Sequence, residues 1–177
     1  MLYKLHKQQH PNTCGISVAQ NILKNKFRIH VAEHSLIRLA EYLYKRKNKS
    51  RISQYYRIKD YGTDVYHFKN LAKYFKLKTF SKSNGTIRNI KYLIDNGIWP
   101  IIHRSYETDG EGHYLIVIDY DKNSILLFDP SRENDGLRIE SHKEFYKKWL
   151  FNKERWLIFF YRNGEIKIPF LGAYKNI

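Results

Sequence analysis

The periodicity of the apolar residues changes once along this chain, at Asn96-Gly97, and that change limits the folds open to it. Before it, apolar side chains recur every three or four residues, the spacing that lines one face of a helix. Ile16, Ala19, Ile22 and Leu23 do so within Thr13 to Lys24, and Leu36, Ile37, Leu39, Ala40 and Leu43 within Val31 to Lys45. Asp64 to Phe75 carries a third stripe, Val65, Phe68, Leu71, Ala72 and Phe75, with Asp64 or Thr63 as its cap. A fourth helix, Thr86 to Asn96, is capped by Thr86 and stopped by Asn96-Gly97. Leu77 to Phe80 is a short strand between the last two.

After Gly97 the runs are short, β-branched or aromatic, and bounded by Gly, Asp and Asn, as strands are. They are "IWPIIHRS" (Ile98 to Ser105), "HYLIVIDY" (His113 to Tyr120), "SILLFDP" (Ser124 to Pro130) and "WLIFFYRN" (Trp156 to Asn163). "DYDKNS" joins the second to the third as a tight hairpin. "EIKIPF" (Glu165 to Phe170) reads as an edge strand, since Pro169 has no amide hydrogen for a central ladder. His67 reads as lying on the polar side of the third helix, and His142 to Phe151 as a short helix before the last long strand. The expected class is α+β, a helical N-terminal half packed on a C-terminal antiparallel sheet.

With 177 residues and 42% hydrophobic content, the chain has material for one domain, 1–177, with a core over about 5–161. A single cysteine excludes a disulfide framework and a cysteine zinc cluster, and neither a metal nor a cofactor is expected. There is no signal-peptide pattern, and the longest apolar runs are strand-sized, so a cytoplasmic protein without membrane insertion is expected. The formal charge of +15 attracts polyanions without specificity. Much of it lies in "YKRKNKSRISQYYRIK" (Tyr44 to Lys59), which reads as a solvated helix end and loop; nucleic acid is not the expected partner.

Cys14 stands where a polar, proline-marked segment turns into the first helix. A thiol in a helix's first turn faces unpaired N–H groups and the positive end of the dipole, which favour a thiolate. Gly15 beside it is a poor helix former, useful there if a substrate must come close. A nucleophilic thiol needs a base, a partner that orients the base, and a donor for the oxyanion. His113 follows the flexible "DGEG" and opens the most apolar strand, so its ring stands at the mouth of the sheet. Asp129 ends the paired strand, and if the two form a hairpin about "DKN" both groups lie at its open end, facing one another. Gln8, a turn ahead of Cys14 through His10-Pro11-Asn12, is the oxyanion donor, with Gln9 its rival.

These residues carry a resemblance. The order Cys, His, Asp with a leading Gln resembles the papain clan, and "Q-x5-C-G" followed downstream by "GHYLIVI" and "FDPS" resembles the bacteriocin-processing, double-glycine leader peptidases. The similarity runs from about Leu5 to Tyr161 and includes "YGTDVYHFKNLAKYFKLKTF" and "TIRNIKYLIDNGIWPIIH". It implies a papain-like fold with Cys14 as nucleophile, His113 as general base and acid, Asp129 as orienter and Gln8 as oxyanion donor. Two features depart from the pattern: Thr13 stands where members often have an acidic residue, and no transporter region follows Ile177.

Three functions fit. The first is a cysteine peptidase that cuts a peptide or leader peptide after small residues such as Gly, with a peptide or protein substrate and a transporter as partner. The second is a papain-like toxin, effector or acyltransferase delivered into another cell, with an immunity-like protein as partner. The third is a non-enzymatic basic binding module resting on Tyr44 to Lys59.

Overall fold

In a computed structural model the described residues are 4–47, 57–105, 112–133 and 136–166. Among them are six helices and six strands. In chain order these are α1 (Cys14–Phe27), α2 (Glu33–Lys47), α3 (Ile58–Tyr61), α4 (Val65–Tyr74), β1 (Lys78–Lys82), α5 (Ile87–Asp95), β2 (Ile101–Ser105), β3 (Gly112–Tyr120), β4 (Ser124–Phe128), β5 (Leu137–Ser141), α6 (His142–Lys148) and β6 (Trp156–Tyr161). The strands form one sheet in the order β1-β6-β2-β3-β4-β5, antiparallel at every pairing. The fold is α+β, as expected.

Local chemistry sets the boundaries. Asp64 caps α4 and Thr86 caps α5; each accepts the backbone N–H three residues on, and His67 and Asn89 return the bond to the cap's own N–H. Gly97, at φ 74°, ends α5. At the β3–β4 turn the Asp121 carboxylate accepts the N–H groups of Asn123 and Ser124, both at 2.7 Å, which fixes the hairpin.

The long apolar runs are explained by a sheet covered on both faces. Ile101, Tyr114, Ile116, Ile158 and Phe160 face α1, α2 and α4. Their neighbours along the strands, Ile102, Leu115, Val117, Leu157 and Phe159, belong to a second core with α5 and α6. Each fully buried Leu, Ile or Phe of these layers contributes roughly 1.5–3 kcal/mol. The helical half is therefore divided: α5 crosses to the far face, and β1 leaves the helical half to become an edge strand beside β6. Trp149, fully buried, completes that far core, and its indole N–H donates to the Trp156 carbonyl at 2.8 Å.

Other expectations are revised. His67 is fully buried, stacked on Tyr44 at 4.7 Å, because its ring caps α4 instead of facing water. The helix α6 stops at Lys148, and α3 and β5 carry no helix or strand signal that was read from the sequence. Glu165 and Ile166 are not in a strand, and the rest of that expected edge strand lies outside the described residues. Most of the basic stretch, residues 48–56, lies outside them too.

Candidate active site

Cys14 is the first residue of α1 and is 8% exposed. The helix has no acidic residue in its own first turn, and the Thr13 side chain does not cap it. The space expected for a substrate beside Gly15 is taken by protein: a Cβ there would lie 2.5 Å from the Thr63 Cβ. The glycine lets α1 approach the segment before α4, and the reading of Gly15 as a substrate-contact position is replaced by close packing.

His113 is the second residue of β3, opposite Arg104 of β2, and is 5% exposed. Its Nε2 bonds to the Asp129 Oδ1 at 2.8 Å, and the ring also interacts with the Cys14 side chain. Asp129 follows the last residue of β4 and is buried. Its Oδ1 also accepts the Ser131 N–H at 2.9 Å, and its Oδ2 accepts from the Arg138 guanidinium at 3.2 Å. Its own N–H donates to the Gly136 carbonyl at 2.7 Å. The sheet therefore brings His113 and Asp129 together as the hairpin expectation had them.

The charges follow. Burial works against a charged His113, but the bonds to Asp129 and Cys14 outweigh it and raise its pKa to about 9. Burial pushes the Asp129 carboxyl up, and the His113 bond, with Ser131 and Arg138 behind it, brings it down to about 2. His113 thus holds its proton at neutral pH between a carboxylate and a thiol. A thiol with a proton donor beside it is an arrangement that can serve nucleophilic chemistry.

Another histidine, which the sequence reading did not weigh, lies alongside. His103 of β2 is stacked between Tyr114 at 4.1 Å and Phe151 at 4.0 Å. Burial first, and then the charge of His113, drives its pKa down to about 3, so it is neutral where His113 is charged. A Cβ at Gly112 would lie 2.2 Å from the His103 Nε2, so the residue before His113 has to be glycine for this stack to form.

Of the two candidate glutamines, Gln8 is buried and Gln9 exposed. The Gln8 amide donates to the Pro11 carbonyl at 2.6 Å and the His10 carbonyl at 3.1 Å, closing the turn that leads to Cys14. Its Oε1 is buried without a hydrogen-bond partner. The backbone of this segment is tied to the Asp129 loop: the Gln8 N–H donates to the Pro130 carbonyl at 2.8 Å, and the Arg132 guanidinium donates to the carbonyls of Gln8 and Gln9. Glu33, also buried, reaches the same segment from α2. Nothing in the local sequence marks it as turned inward.

Among the described residues no group of three or more His, Cys, Asp or Glu is placed to hold a metal ion, and no helix is long and apolar enough to cross a membrane.

No curated protein matches the sequence. Solved structures match its fold. The peptidase domain of Streptococcus ComA, a bi-functional ABC transporter of a quorum-sensing pathway, is 18% identical with a TM-score of 0.65, over 92% of this chain and 100% of that one. A putative C39-like peptidase from Bacillus anthracis is 16% identical with a TM-score of 0.65, over 92% and 97%. A double glycine motif protease from an AMS/PCAT transporter, solved with its leader peptide, is 12% identical with a TM-score of 0.62, over 88% and 89%. A family model, described as the Peptidase C39-like family, matches residues 2–156. Since that match spans most of the sequence, from ahead of the Cys14 loop to the start of β6, the chain belongs to the Peptidase C39-like family of cysteine peptidases.

Proposed function

We propose that Cys14, His113 and Asp129 hydrolyse a peptide bond, with Gln8 and the Cys14 backbone N–H receiving the oxyanion. The observation that carries this is the position of His113, held at 2.8 Å by Asp129 and interacting with the Cys14 side chain as well. The Cys14 sulfur attacks the scissile carbonyl carbon; a C–S bond forms and the carbonyl π electrons move to oxygen. The oxyanion takes hydrogen bonds from the Cys14 N–H and from the Gln8 amide, which releases one of its two loop carbonyls to do so. As the intermediate collapses, the C–N bond breaks and His113 gives its proton to the departing amine. Water then adds to the thioester while His113 takes its proton, and the acid leaves as the thiolate is restored. Asp129 keeps the ring oriented and carries the countercharge without itself becoming protonated.

The substrate in this reading is a leader-type peptide cut after small residues such as glycine. The likeness to a double glycine motif protease solved with a leader peptide supports it. A second support is the edge strand β5, which begins beside Asp129 and turns Leu137 (52% exposed) and Ile139 (74% exposed) outward, an apolar strip for a peptide's apolar side chains. The test is cleavage of peptides that differ only at the two residues before the cut. The expected result is release after Gly-Gly, lost in Cys14→Ala; equal cleavage after bulky residues would remove the leader-type specificity, and hydrolysis that survives Cys14→Ala would remove the mechanism.

A further inference from the structure

An acidic residue in the first turn of a helix ordinarily points to water, where it complements the dipole at little cost. Glu33 opens α2 but is only 1% exposed. Its carboxylate is turned across to the segment that leads into Cys14. Both oxygens accept the Gln9 N–H, each at 3.0 Å, and Oε1 accepts the Thr13 hydroxyl at 2.5 Å. Bonds of this kind satisfy a buried carboxylate that has left water. Among the described residues no cation pairs with it, so what Glu33 grips there is a loop.

The same loop is gripped from its other side. Arg132 donates to the carbonyls of Gln8 and Gln9, and the Pro130 carbonyl accepts the Gln8 N–H. The Gln9 residue therefore has its N–H on an acid from the helical layer and its C=O on a base from the sheet side. Between Gln9 and Cys14 the chain turns through His10, Pro11 and Asn12, and the Thr13 hydroxyl closes that turn by accepting the His10 N–H while donating to Glu33. The two proposed oxyanion donors, the Gln8 amide and the Cys14 N–H, stand at the two ends of this loop, and no strand ladder fixes their separation.

We infer that Glu33 is a positioning residue for the oxyanion site: through Gln9 and Thr13 it sets the curvature of the Gln8–Cys14 loop, and so the spacing of the two donors. This inference rests on the peptidase reading above. It separates Glu33 from His113 and Asp129, which govern the thiol. Alkylation by iodoacetamide needs the thiolate but builds no oxyanion, whereas peptide hydrolysis needs both.

The experiment measures kcat and KM on a Gly-Gly peptide, the iodoacetamide rate of Cys14 across pH, and the thermal midpoint, for wild type, Glu33→Gln, Thr13→Val and Thr13→Ser. Glu33→Gln is expected to lower kcat by about 10- to 100-fold, part of the effect of deleting an oxyanion donor. KM should stay within about threefold and the alkylation rate and its pH profile within about twofold, the signature of an interaction made in the transition state. Thr13→Val should repeat the pattern at smaller size and Thr13→Ser should restore wild-type kcat; if Glu33→Gln does not fold, this pair decides. Unchanged kcat in both Glu33→Gln and Thr13→Val overturns the inference, and so does a parallel fall of kcat and alkylation. A wild-type protein with no Cys14-dependent cleavage overturns the peptidase reading, and the inference with it.

Discussion

The two halves of the candidate site are held by different means. His113 and Asp129 come from the sheet, one inside β3 and the other just past β4, so the ladder between those strands places them before any side chain acts. Cys14 and Gln8 come from a loop and the helix it feeds, and there the placement is made by side chains: Glu33, Thr13, Arg132 and the Gln8 amide itself. A ladder spreads its constraint over many backbone bonds, while a loop held by buried polar groups depends on each of them. The sheet side of the site should therefore tolerate change around it, and the loop side should not.

The largest expected effect removes either side outright. Cys14→Ala and His113→Ala should each lower kcat/KM by about 10⁴-fold or more, and the double variant should be little worse than either, because the groups act as one unit. Additive losses in a double-mutant cycle would show that the two halves work separately. Asp129→Asn comes next, with a loss of about 10²-fold, since an amide still accepts from the ring but carries no charge. In the proposed mechanism His113 acts in its charged form, and its neighbourhood raises it to about 9, so wild-type activity should fall as pH climbs through 9. In Asp129→Asn that basic limb should move toward 6.5, the ordinary histidine value; a limb that stays put would assign it to another group.

Smaller effects bear on stability. Gly15→Ala drives a methyl into Thr63 and should destabilise by about 1–3 kcal/mol, with the loss recovered when Thr63→Gly is added. Urea unfolding of the two single variants and the double would show whether the pair is coupled.

The adjacent histidines act in opposite directions on pH dependence. His113 is raised, so the stability it adds is whole below about 6.5 and is lost as pH rises through 9. His103 is lowered to about 3, so it begins to destabilise the fold as pH drops below 6.5 and does so increasingly toward 3. The stability gap between wild type and His103→Phe should therefore shift in favour of the variant as pH falls from 6.5; a constant gap would mean that His103 titrates normally. The smallest effect is expected on the outer face of α4, where Lys69 and Lys73 are exposed. Replacing both with glutamine should change stability by about 0.5 kcal/mol or less and leave kcat on a neutral peptide unaltered.

The sheet side was the more legible half. His113 and Asp129 stand where a strand begins and ends, and Cys14 where helical periodicity begins, so each occupies a boundary that pattern reveals. The strand β5 was missed because its alternation is inverted: Leu137 and Ile139 face out while Glu140 is buried against Arg104 at 2.9 Å. A reading that sends apolar residues inward cannot find such a strand. Glu33 and His103 were hidden for a related reason. Burial of a polar side chain is decided by partners far away in sequence, Gln9 and Thr13 for the one and Tyr114 and Phe151 for the other, and local spacing holds no trace of them.

The strand order has a consequence for synthesis on the ribosome. The last described strand, β6, lies between β1 and β2, and it is β1's neighbour in the sheet and one of β2's two. A nascent chain that has emerged only to about residue 150 can pair β2, β3, β4 and β5, bringing His113 and Asp129 together, yet Lys78–Lys82 has no strand to join. Both core layers also lack Leu157, Ile158, Phe159 and Phe160 until then. The hairpin that carries His113 and Asp129 can thus pair before β6 has emerged, and the body that steadies it is completed only when that strand arrives.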